Sequence, residues 1–428
     1  MRKKQPSWFH GYNVAAVATV GYAASAPGQT FIVSQFNSQF RETFGISELT
    51  LNTSYTVATI AASLPLVLVG TLTDRLGPRR AMALIALLFG LGCLVIGGAP
   101  NFAMVCVGFF LVRFLGMGAL HMVSGHAVAM WFHRRLGLVN GIKQVAVFGL
   151  WIAFPQIAIL LIAGVGWRWT YGIFALLIWI AVIPAALLVV RNRPEDIGLR
   201  LDGDGPQLSD TDDTAGAAHS ESKAAPEPAF TLRQAMRTRA YWAIVAAIFP
   251  APLIGTAILF DVQPILAQHG MDQSDAANVV SAWTASMAIM ALPSGWLTDR
   301  FRPAVLFLIG ILVIACSVGL FAKASTVLMA MSAFAVYGVG QSVVASCANA
   351  TLARYFGRSA HGAIRSSIVR IGVLATGLGP MVTALSVEFT GSYSAAMIVF
   401  LLLCVPALAM CIGLRPPPEP GLSRLNKV

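Results

Sequence analysis

Twelve long apolar segments follow one another along the chain, each bounded by charged residues or by glycine and proline turns. A helix needs about 20 apolar residues to cross the hydrocarbon core of a bilayer, and each segment is long enough to do so. Only 11% of the residues are charged and the mean hydropathy is +0.73, whereas a soluble domain carries about 25% charged residues. The sequence therefore predicts an all-α polytopic membrane protein with spans at 12–34, 50–72, 81–99, 102–130, 138–164, 168–190, 240–268, 275–297, 303–322, 326–353, 361–387 and 392–414.

The spans form two sets of six, separated by residues 191–239. In this separating segment Asp and Glu mix with Ser, Gly, Ala and Pro, and apolar residues do not recur at helical or strand spacing. Such a composition cannot bury a core, so we predict a largely disordered cytoplasmic linker. The expected regions are a six-helix bundle at 1–190, the linker at 191–239, and a second six-helix bundle at 240–428.

The two halves share sequence landmarks at nearly one offset. A shift of 225 residues places GTLTDR at 70–75 over GWLTDR at 295–300, and Pro155 over Pro380. We interpret the chain as a tandem duplication of six-helix halves related by a pseudo-two-fold axis. Because each half has an even number of spans, both halves insert in the same orientation.

The formal net charge of +11 is explained by topology and does not require a nucleic-acid partner. With the N-terminus placed in the cytoplasm, 22 Lys and Arg residues fall in cytoplasmic segments, and only Arg41, Arg168 and Lys323 fall on the other side. The positive-inside rule then predicts that both termini and the linker are cytoplasmic. We expect a multi-pass protein of the cell membrane, specifically a bacterial inner membrane, in contact with lipid and monomeric.

The loop after the second span, GTLTDRLGPRR at 70–80, resembles the cytoplasmic signature of the major facilitator superfamily. A weaker copy, GWLTDRFRP, follows the eighth span. The resemblance implies a charge clasp that joins the halves on the cytoplasmic side, and a plain topogenic basic loop is the alternative. By match, the clasp residues are Gly70, Asp74, Arg75, Gly77, Arg80, Asp299 and Arg300.

Three further strings are similar to those of the monocarboxylate transporter-like and oxalate/formate exchanger-like branch of this superfamily. They are WFHRRLGLVNGI at 131–142, GWRW at 166–169 and RPEDIGL at 193–199. The resemblance implies two six-helix bundles that carry a small organic anion between them.

Cations within the spans are the first candidate site residues, because an ionised group at the bilayer centre costs at least about 2.5–3.5 kcal/mol and needs a partner or a task. Arg370 lies near the middle of the eleventh span, and the stripe Gly362, Ser366, Arg370 places it on a face with small and polar residues. Arg365 lies nearer the membrane surface, where its side chain can extend to water.

Two more cations lie in the first half. Arg113 is twelve residues beyond Asn101 and so about 18 Å into the bilayer. The second half has Tyr337 at the equivalent place, which suggests a site role for Arg113, with structural hydrogen bonding as the alternative. Lys143 either contacts the substrate or extends to the membrane surface. We expect Gln144, beside Lys143, and Tyr337 to contact the substrate as well.

Asp261 in the seventh span is the deepest acidic residue, and we predict a proton carrier, a salt-bridge partner or a vestibule residue there. Three prolines and a glycine in the same span predict a broken helix. His121 and His126 in the fourth span are candidates for a proton relay or for hydrogen bonds between helices.

The deep cations outnumber the deep acids, so we predict that the substrate is an organic anion, a mono- or dicarboxylate. The predicted function is secondary active transport by alternating access, driven by protons or by anion exchange. A drug or metabolite efflux pump is the main alternative, and a polytopic receptor or membrane enzyme is a remote one. The sequence shows no phosphate-binding loop for ATP and no catalytic or metal-binding motif, so we expect neither enzymatic activity nor a cofactor.

Overall fold

The protein was analysed as a computed structural model that describes residues 9–132, 135–200, 202, 230–356 and 361–418. Within these ranges the secondary structure is helical throughout. The side chains of Asp74, Asp299 and Arg365 lie outside the described part, as do residues 203–229 of the predicted linker.

Six spans, α1 to α6, form the first half. Two long helices, Leu66–Gly97 and Leu136–Leu188, each contain parts of two spans. The bounds are α1 His10–Ala23, Ala26–Gly28 and Thr30–Val33; α2 Glu48–Ser63 and 66–76; α3 78–97; α4 Phe102–Val112, Arg113–Leu120 and His121–Ala129; α5 136–165; and α6 167–188.

Six spans, α7 to α12, form the second half. Their bounds are α7 Arg239–Ile248, Pro250–Phe260 and Val262–Ala267; α8 Gln273–Arg300; α9 Pro303–Phe321; α10 Val327–Phe356; α11 His361–Thr390; and α12 Ser394–Cys411.

Nine helices in the described ranges are long and apolar enough to cross a membrane, and one of them, at Leu138–Leu188, has the 51 residues of two spans. The segmented α1 and the divided α2 complete a count of twelve. The predicted fold class, twelve helices in two six-helix bundles, is confirmed. The loops with Arg75, Arg80 and Arg302 lie at one end of the molecule, here called the basic end, and the loop with Gly45 lies at the opposite end.

The first helix of each half is broken. The break of α7 was predicted: the helix is interrupted at Phe249, before Pro250, and again at Asp261, where φ is −106° and ψ is 21°. The break of α1 at Ala24–Gln29, which the 225-residue offset places over residues 249–254, was not predicted, although Pro27 stands within it. Broken spans free backbone carbonyls within the bilayer, and these need donors from neighbouring helices.

The sharp turn between α2 and α3 depends on Gly77, the second glycine of the predicted clasp. Its φ of 75° and ψ of 157° belong to a region that only glycine occupies readily, and a Cβ atom there would lie 2.5 Å from the side chain of Asn192. That asparagine accepts a hydrogen bond from the backbone N–H of Arg79 at 3.2 Å. The turn is therefore packed directly against the segment that follows α6.

We expect Gly77→Ala to destabilise the protein by about 1–3 kcal/mol, because it combines backbone strain with the clash against Asn192. Thermal melting of the purified protein in detergent would measure the loss. Gly70→Ala is the matched control, because Gly70 is helical and the nearest atom to its added Cβ is 3.4 Å away. Equal melting temperatures for the two variants would contradict the prediction.

The segment after α6 is folded against the basic end of the first half. Residues Pro194–Ile197 form a short 3-10 helix, and the indole of Trp131 donates to the carbonyl of Arg191 at 3.0 Å. The Asp202 carboxylate accepts from the backbone N–H of Arg135 at 3.1 Å. The WFHRR and RPEDIGL strings, which were noted for resemblance alone, thus contain residues that attach the start of the predicted linker to the bundle.

Candidate functional site

Arg113 lies within the protein and fastens the break of α1. It opens the π-helical piece of α4 and is 2% exposed. Its Nη1 donates to the carbonyl of Gly28 at 3.1 Å and to the hydroxyl of Thr30 at 3.3 Å, and the guanidinium lies 5.3 Å from the ring centre of Tyr55. The close approach needs a glycine, since a Cβ on Gly28 would lie 2.3 Å from the carbonyl oxygen of Val112. Nε and Nη2 of Arg113 have no hydrogen-bond partner among the described residues.

Tyr337 makes the corresponding contact in the second half. Its buried hydroxyl, on α10, donates to the carbonyl of Ala251 in the middle piece of α7, and its ring stacks on Phe334 at 5.2 Å. In both halves, therefore, the fourth helix binds a main-chain carbonyl of the first helix at or beside its first break. Arg113 and Tyr337, which occupy equivalent positions in the two halves, thus make the same kind of contact with two different side chains: each donates a hydrogen bond to a backbone carbonyl of the first helix of its half.

We expect Tyr337→Phe to destabilise the protein by about 1 kcal/mol, because it removes one buried hydrogen bond without changing the ring. Tyr12→Phe is the control, since it removes the same atom from a half-buried residue at the basic end. The two melting temperatures in detergent give the comparison. A loss for Tyr12→Phe as large as that for Tyr337→Phe would show that the contact with α7 is not special.

A second polar cluster, here called the Tyr22 cluster, joins α1, α4 and α5. The ring of His121 stacks on that of Tyr22 at 4.1 Å, and Nζ of Lys143 lies 5.8 Å from the centre of the Tyr22 ring. The side chain of Gln144 lies beside the Tyr22 hydroxyl. Trp151 covers the edge of Tyr22 at 5.2 Å. Four residues that the sequence could not group, Tyr22, His121, Lys143 and Gln144, therefore lie together.

Lys143 is a buried cation, with only 5% of its surface exposed. Within the part of the chain that the structure describes, Arg41–Glu48 is the one ion pair, so neither Lys143 nor Arg113 has a described carboxylate within 4.0 Å. In the Tyr22 cluster the positive charge of Lys143 lies beside the aromatic rings of Tyr22 and His121 and the amide of Gln144. Such a set can receive a small anion.

The other candidates stand apart from this cluster. Arg370, on α11, is exposed, and no described contact joins it to Lys143 or Arg113. His126 is half-buried and five residues beyond His121, about 140° further around the helix. Among the predicted clasp residues, Arg75, Arg80 and Arg300 are exposed, and Arg300 lies over the ring of Trp296 at 4.7 Å. Because the carboxylates of Asp74 and Asp299 are outside the described part, the clasp stays a prediction.

Asp261 occupies the second break of α7 and joins the two halves. It is 1% exposed, and both carboxylate oxygens accept from Nδ2 of Asn52 on α2, at 3.0 and 2.8 Å. The same Nδ2 donates to the carbonyl of Pro380 on α11 at 3.0 Å, and the hydroxyl of Thr383 donates to Asp261. Three helices from both halves thus meet at one carboxylate, and we call Asn52, Asp261 and Thr383 the Asp261 hub.

More contacts between the halves surround the hub. Gln263 donates to the side-chain oxygen of Gln35 at 3.2 Å, and the hydroxyl of Tyr393 donates to Glu48. Glu48 also accepts from Arg41 of its own half at 3.3 Å. Burial raises the pKa of Tyr393 above its usual range, so the phenol stays protonated and donates. The described side-chain hydrogen bonds between the halves all lie between the middle of the spans and the end opposite the basic loops. That end is closed.

An aromatic layer lies on the inner side of the closed end. Phe31, from the last piece of α1, contacts Trp151 of the first half at 5.2 Å and Trp283 of the second half at 5.8 Å. Each indole is fixed by a hydrogen bond, from Trp151 to the carbonyl of Ala23 and from Trp283 to the side chain of Gln341. The layer therefore adjoins the Tyr22 cluster and bridges the halves.

The sequence model of one protein family, the Major Facilitator Superfamily, matches residues 18–263 and again residues 246–427. The chain belongs to this superfamily. The first match covers the first half and continues through most of α7, and the second covers the second half from within α7. The transporter class predicted from the signature loops is confirmed. Assignment to the monocarboxylate-like branch is not decided by the match.

Relatives with assigned names differ in what they carry. The chain is 25% identical over 360 residues to the multidrug resistance protein B homolog of Mycobacterium tuberculosis, which covers 75% of this chain and 66% of that protein. It is 27% identical over 128 residues to the glucose transporter GlcP of Staphylococcus epidermidis, which covers 28% of this chain and 26% of that protein. The alignments thus span between about a quarter and two thirds of these relatives.

Solved structures with the same fold include two transporters. The bacterial homolog of the human lysosomal transporter Spinster, inward-facing and occupied, superposes with a TM-score of 0.67 at 13% identity, covering 94% of this chain and 95% of that one. The human organic anion transporter MFSD10 (TETRAN) gives a TM-score of 0.61 at 14% identity, covering 95% and 100%. At these identities the likeness establishes the fold alone.

Proposed function

We propose that the protein is a secondary active transporter of small organic anions, mono- or dicarboxylates, that works by alternating access. The observation that supports it is the burial of Lys143 and Arg113 without a described carboxylate partner. A buried cation is costly when unpaired, and an anionic substrate would relieve that cost. Lys143 would bind the carboxylate, and Arg113 would contribute the N–H groups of Nε and Nη2, which have no described partner.

Arg370 extends this proposal to the second half. Lys143 and Arg113 belong to the first bundle and Arg370 to the second, so one anion that contacts both sides would draw the bundles together. Arg365, on the same helix as Arg370, would add positive charge near the membrane surface and so help to attract the anion. The resemblance to the monocarboxylate-like branch agrees with this substrate class.

The orientation is part of the proposal. If the basic end is cytoplasmic, as the positive-inside rule predicts, the closed end faces outward and the described conformation is inward-facing. The driving force would be a proton gradient or exchange for a second anion. His121 is the proposed proton carrier within the Tyr22 cluster, His126 is an alternate carrier, and Asp261 couples the closed end to transport.

The test is uptake of radiolabelled mono- and dicarboxylates by proteoliposomes, with and without a pH gradient. Accumulation that responds to the gradient, or to anions loaded inside, would support the proposal. If no carboxylate moves in either arrangement while the protein is folded, the proposed substrate class is wrong.

Efflux of apolar compounds is the second candidate function. The aromatic layer of Phe31, Trp151 and Trp283 would suit flat ligands, and the Mycobacterium tuberculosis relative is named for multidrug resistance. Export of ethidium from loaded vesicles, without uptake of any carboxylate, would favour this candidate over anion transport.

A further inference from the structure

A cavity of about 300 Å³ opens beside the Asp261 hub at the closed end. It lies between the halves, where the short helix Asn37–Phe44 that follows α1, the start of α2 and the last piece of α7 approach one another. Asn37, Asn52, Asp261, Glu48 and Arg41 are among the residues that line it.

The buried polar atoms of this cavity are mainly hydrogen-bond acceptors. Asn52 is fully buried and Asn37 is 4% exposed, and the Oδ1 atoms of both lack a donor among the described residues. Their amide nitrogens are engaged, Nδ2 of Asn37 with the carbonyl of Phe260 at 2.6 Å and that of Asn52 with Asp261. Since buried polar atoms are nearly always paired, two unpaired oxygens beside a carboxylate indicate a positively charged or hydrogen-donating guest.

The charge balance of the cavity also favours a cation. Arg41 is already paired with Glu48 at 3.3 Å, and the donors to Asp261 are the neutral Asn52 and Thr383. The carboxylate of Asp261 is therefore buried without a described positive partner. An unpaired charge in this setting is expensive, and a bound cation would offset it.

The backbone adds to the negative potential at the same place. The middle piece of α7, Pro250–Phe260, ends at Phe260, immediately before Asp261. The C-terminal end of a helix carries a partial negative charge from its free carbonyl groups. Ends of half-helices within transporter bundles are suited to coordinate small cations for this reason.

The geometry points to a sodium site formed by the carboxylate of Asp261 with the amide oxygens of Asn52 and Asn37. Hard oxygen ligands suit Na⁺, and a single carboxylate matches a monovalent ion, whereas Ca²⁺ sites combine several carboxylates. The ion enters from the closed end and bridges α2 with α7, so its binding favours the conformation in which the halves meet there. Any contribution of this ion to coupling, beside the proposed proton gradient or anion exchange, rests on the proposed transport of anions, whereas the binding of the ion does not.

The test is equilibrium binding of ²²Na⁺ to the purified full-length protein in detergent, without any organic substrate. Wild-type protein should bind Na⁺ saturably, and K⁺ should compete poorly. Asp261→Asn should abolish the saturable component, and Asn52→Ala should weaken it at least about tenfold, the effect of losing about 1.4 kcal/mol of binding. Asp272→Asn is the matched control, because Asp272 lines the same cavity and the substitution removes the same charge. The asparagine can still cap the N-terminus of α8.

Size-exclusion chromatography and thermal melting confirm that each variant is folded, and Asn37→Ala provides a second binding variant if Asp261→Asn fails to fold. Absence of saturable ²²Na⁺ binding to folded wild-type protein would overturn the site. Equal losses in Asp261→Asn and Asp272→Asn would overturn it too, since they would indicate diffuse charge attraction. Sodium binding without carboxylate transport would leave the site standing and reject the proposed function, and carboxylate transport without sodium binding would do the reverse.

Discussion

Lys143→Gln is expected to lower carboxylate uptake by about 10- to 150-fold, the effect of losing a charged hydrogen bond worth about 1.5–3 kcal/mol. Glutamine keeps most of the side chain's volume and its ability to donate, so the change removes the charge with little repacking. Lys143→Arg should retain a substantial part of the activity, because it keeps the positive charge beside Tyr22. Initial rates of uptake of labelled carboxylate into proteoliposomes measure the effect.

The matched control for this prediction is Lys323→Gln, which removes a lysine charge from an exposed loop. Its uptake should equal that of the wild type. If Lys143→Gln is folded and transports carboxylate at the wild-type rate, the anion site is not at the Tyr22 cluster. An equal loss in both variants would indicate that overall charge, and not a site, controls the rate.

Arg113 should behave differently from Lys143, because it holds a main-chain carbonyl in addition to its proposed contact with the substrate. Arg113→Gln is expected to lower the melting temperature together with uptake, since the Gly28 carbonyl and the Thr30 hydroxyl lose their donor. A variant of Lys143 removes no hydrogen bond that the structure describes. Comparing the two melting temperatures therefore separates a binding residue from one that also supports the fold.

The sequence was sufficient for the twelve spans, the two bundles and the break of α7, because apolar length, duplication and proline spacing are local signals. It also found Lys143, Arg113 and Asp261, because an ionisable residue in an apolar run stands out. It left open whether Arg113 contacts a substrate or the protein. The contact described for it is with a backbone carbonyl at an unpredicted break, and no side-chain pattern reveals such an acceptor.

The partners of Asp261 could not be predicted for a related reason. Asn52 is 209 residues from Asp261 in sequence, and Thr383 is 122 residues away. Their meeting depends on how α2 and α11 approach the broken α7. Asn52 is one of several polar residues in the second span, and such residues often bond to their own helix, so its sequence position did not single it out.

Asn52→Leu is expected to shift the protein from the closed toward the open arrangement at the end opposite the basic loops. The change removes two hydrogen bonds to a buried carboxylate and one to the carbonyl of Pro380. Hydrogen bonds to a charged group are worth about 1.5–3 kcal/mol each, so the closed state should lose at least about 1.4 kcal/mol, a tenfold change in the equilibrium. When this end opens, water reaches Asp261 and replaces the lost hydrogen-bond donors. The variant is therefore expected to favour the open arrangement over the closed one.

Distances between spin labels would measure this shift in a variant whose native cysteines are replaced. Labels at Glu42 and His269, both exposed at the closed end and on opposite halves, should move apart in Asn52→Leu. Labels at Arg80 and Arg302, exposed at the basic end, should move together if the halves rock as rigid bodies. Thr50→Val is the control, since it removes a polar group from an exposed position on the same helix. Unchanged distances in Asn52→Leu would mean that the Asp261 hub does not hold this end closed and that packing between α2 and α11 does.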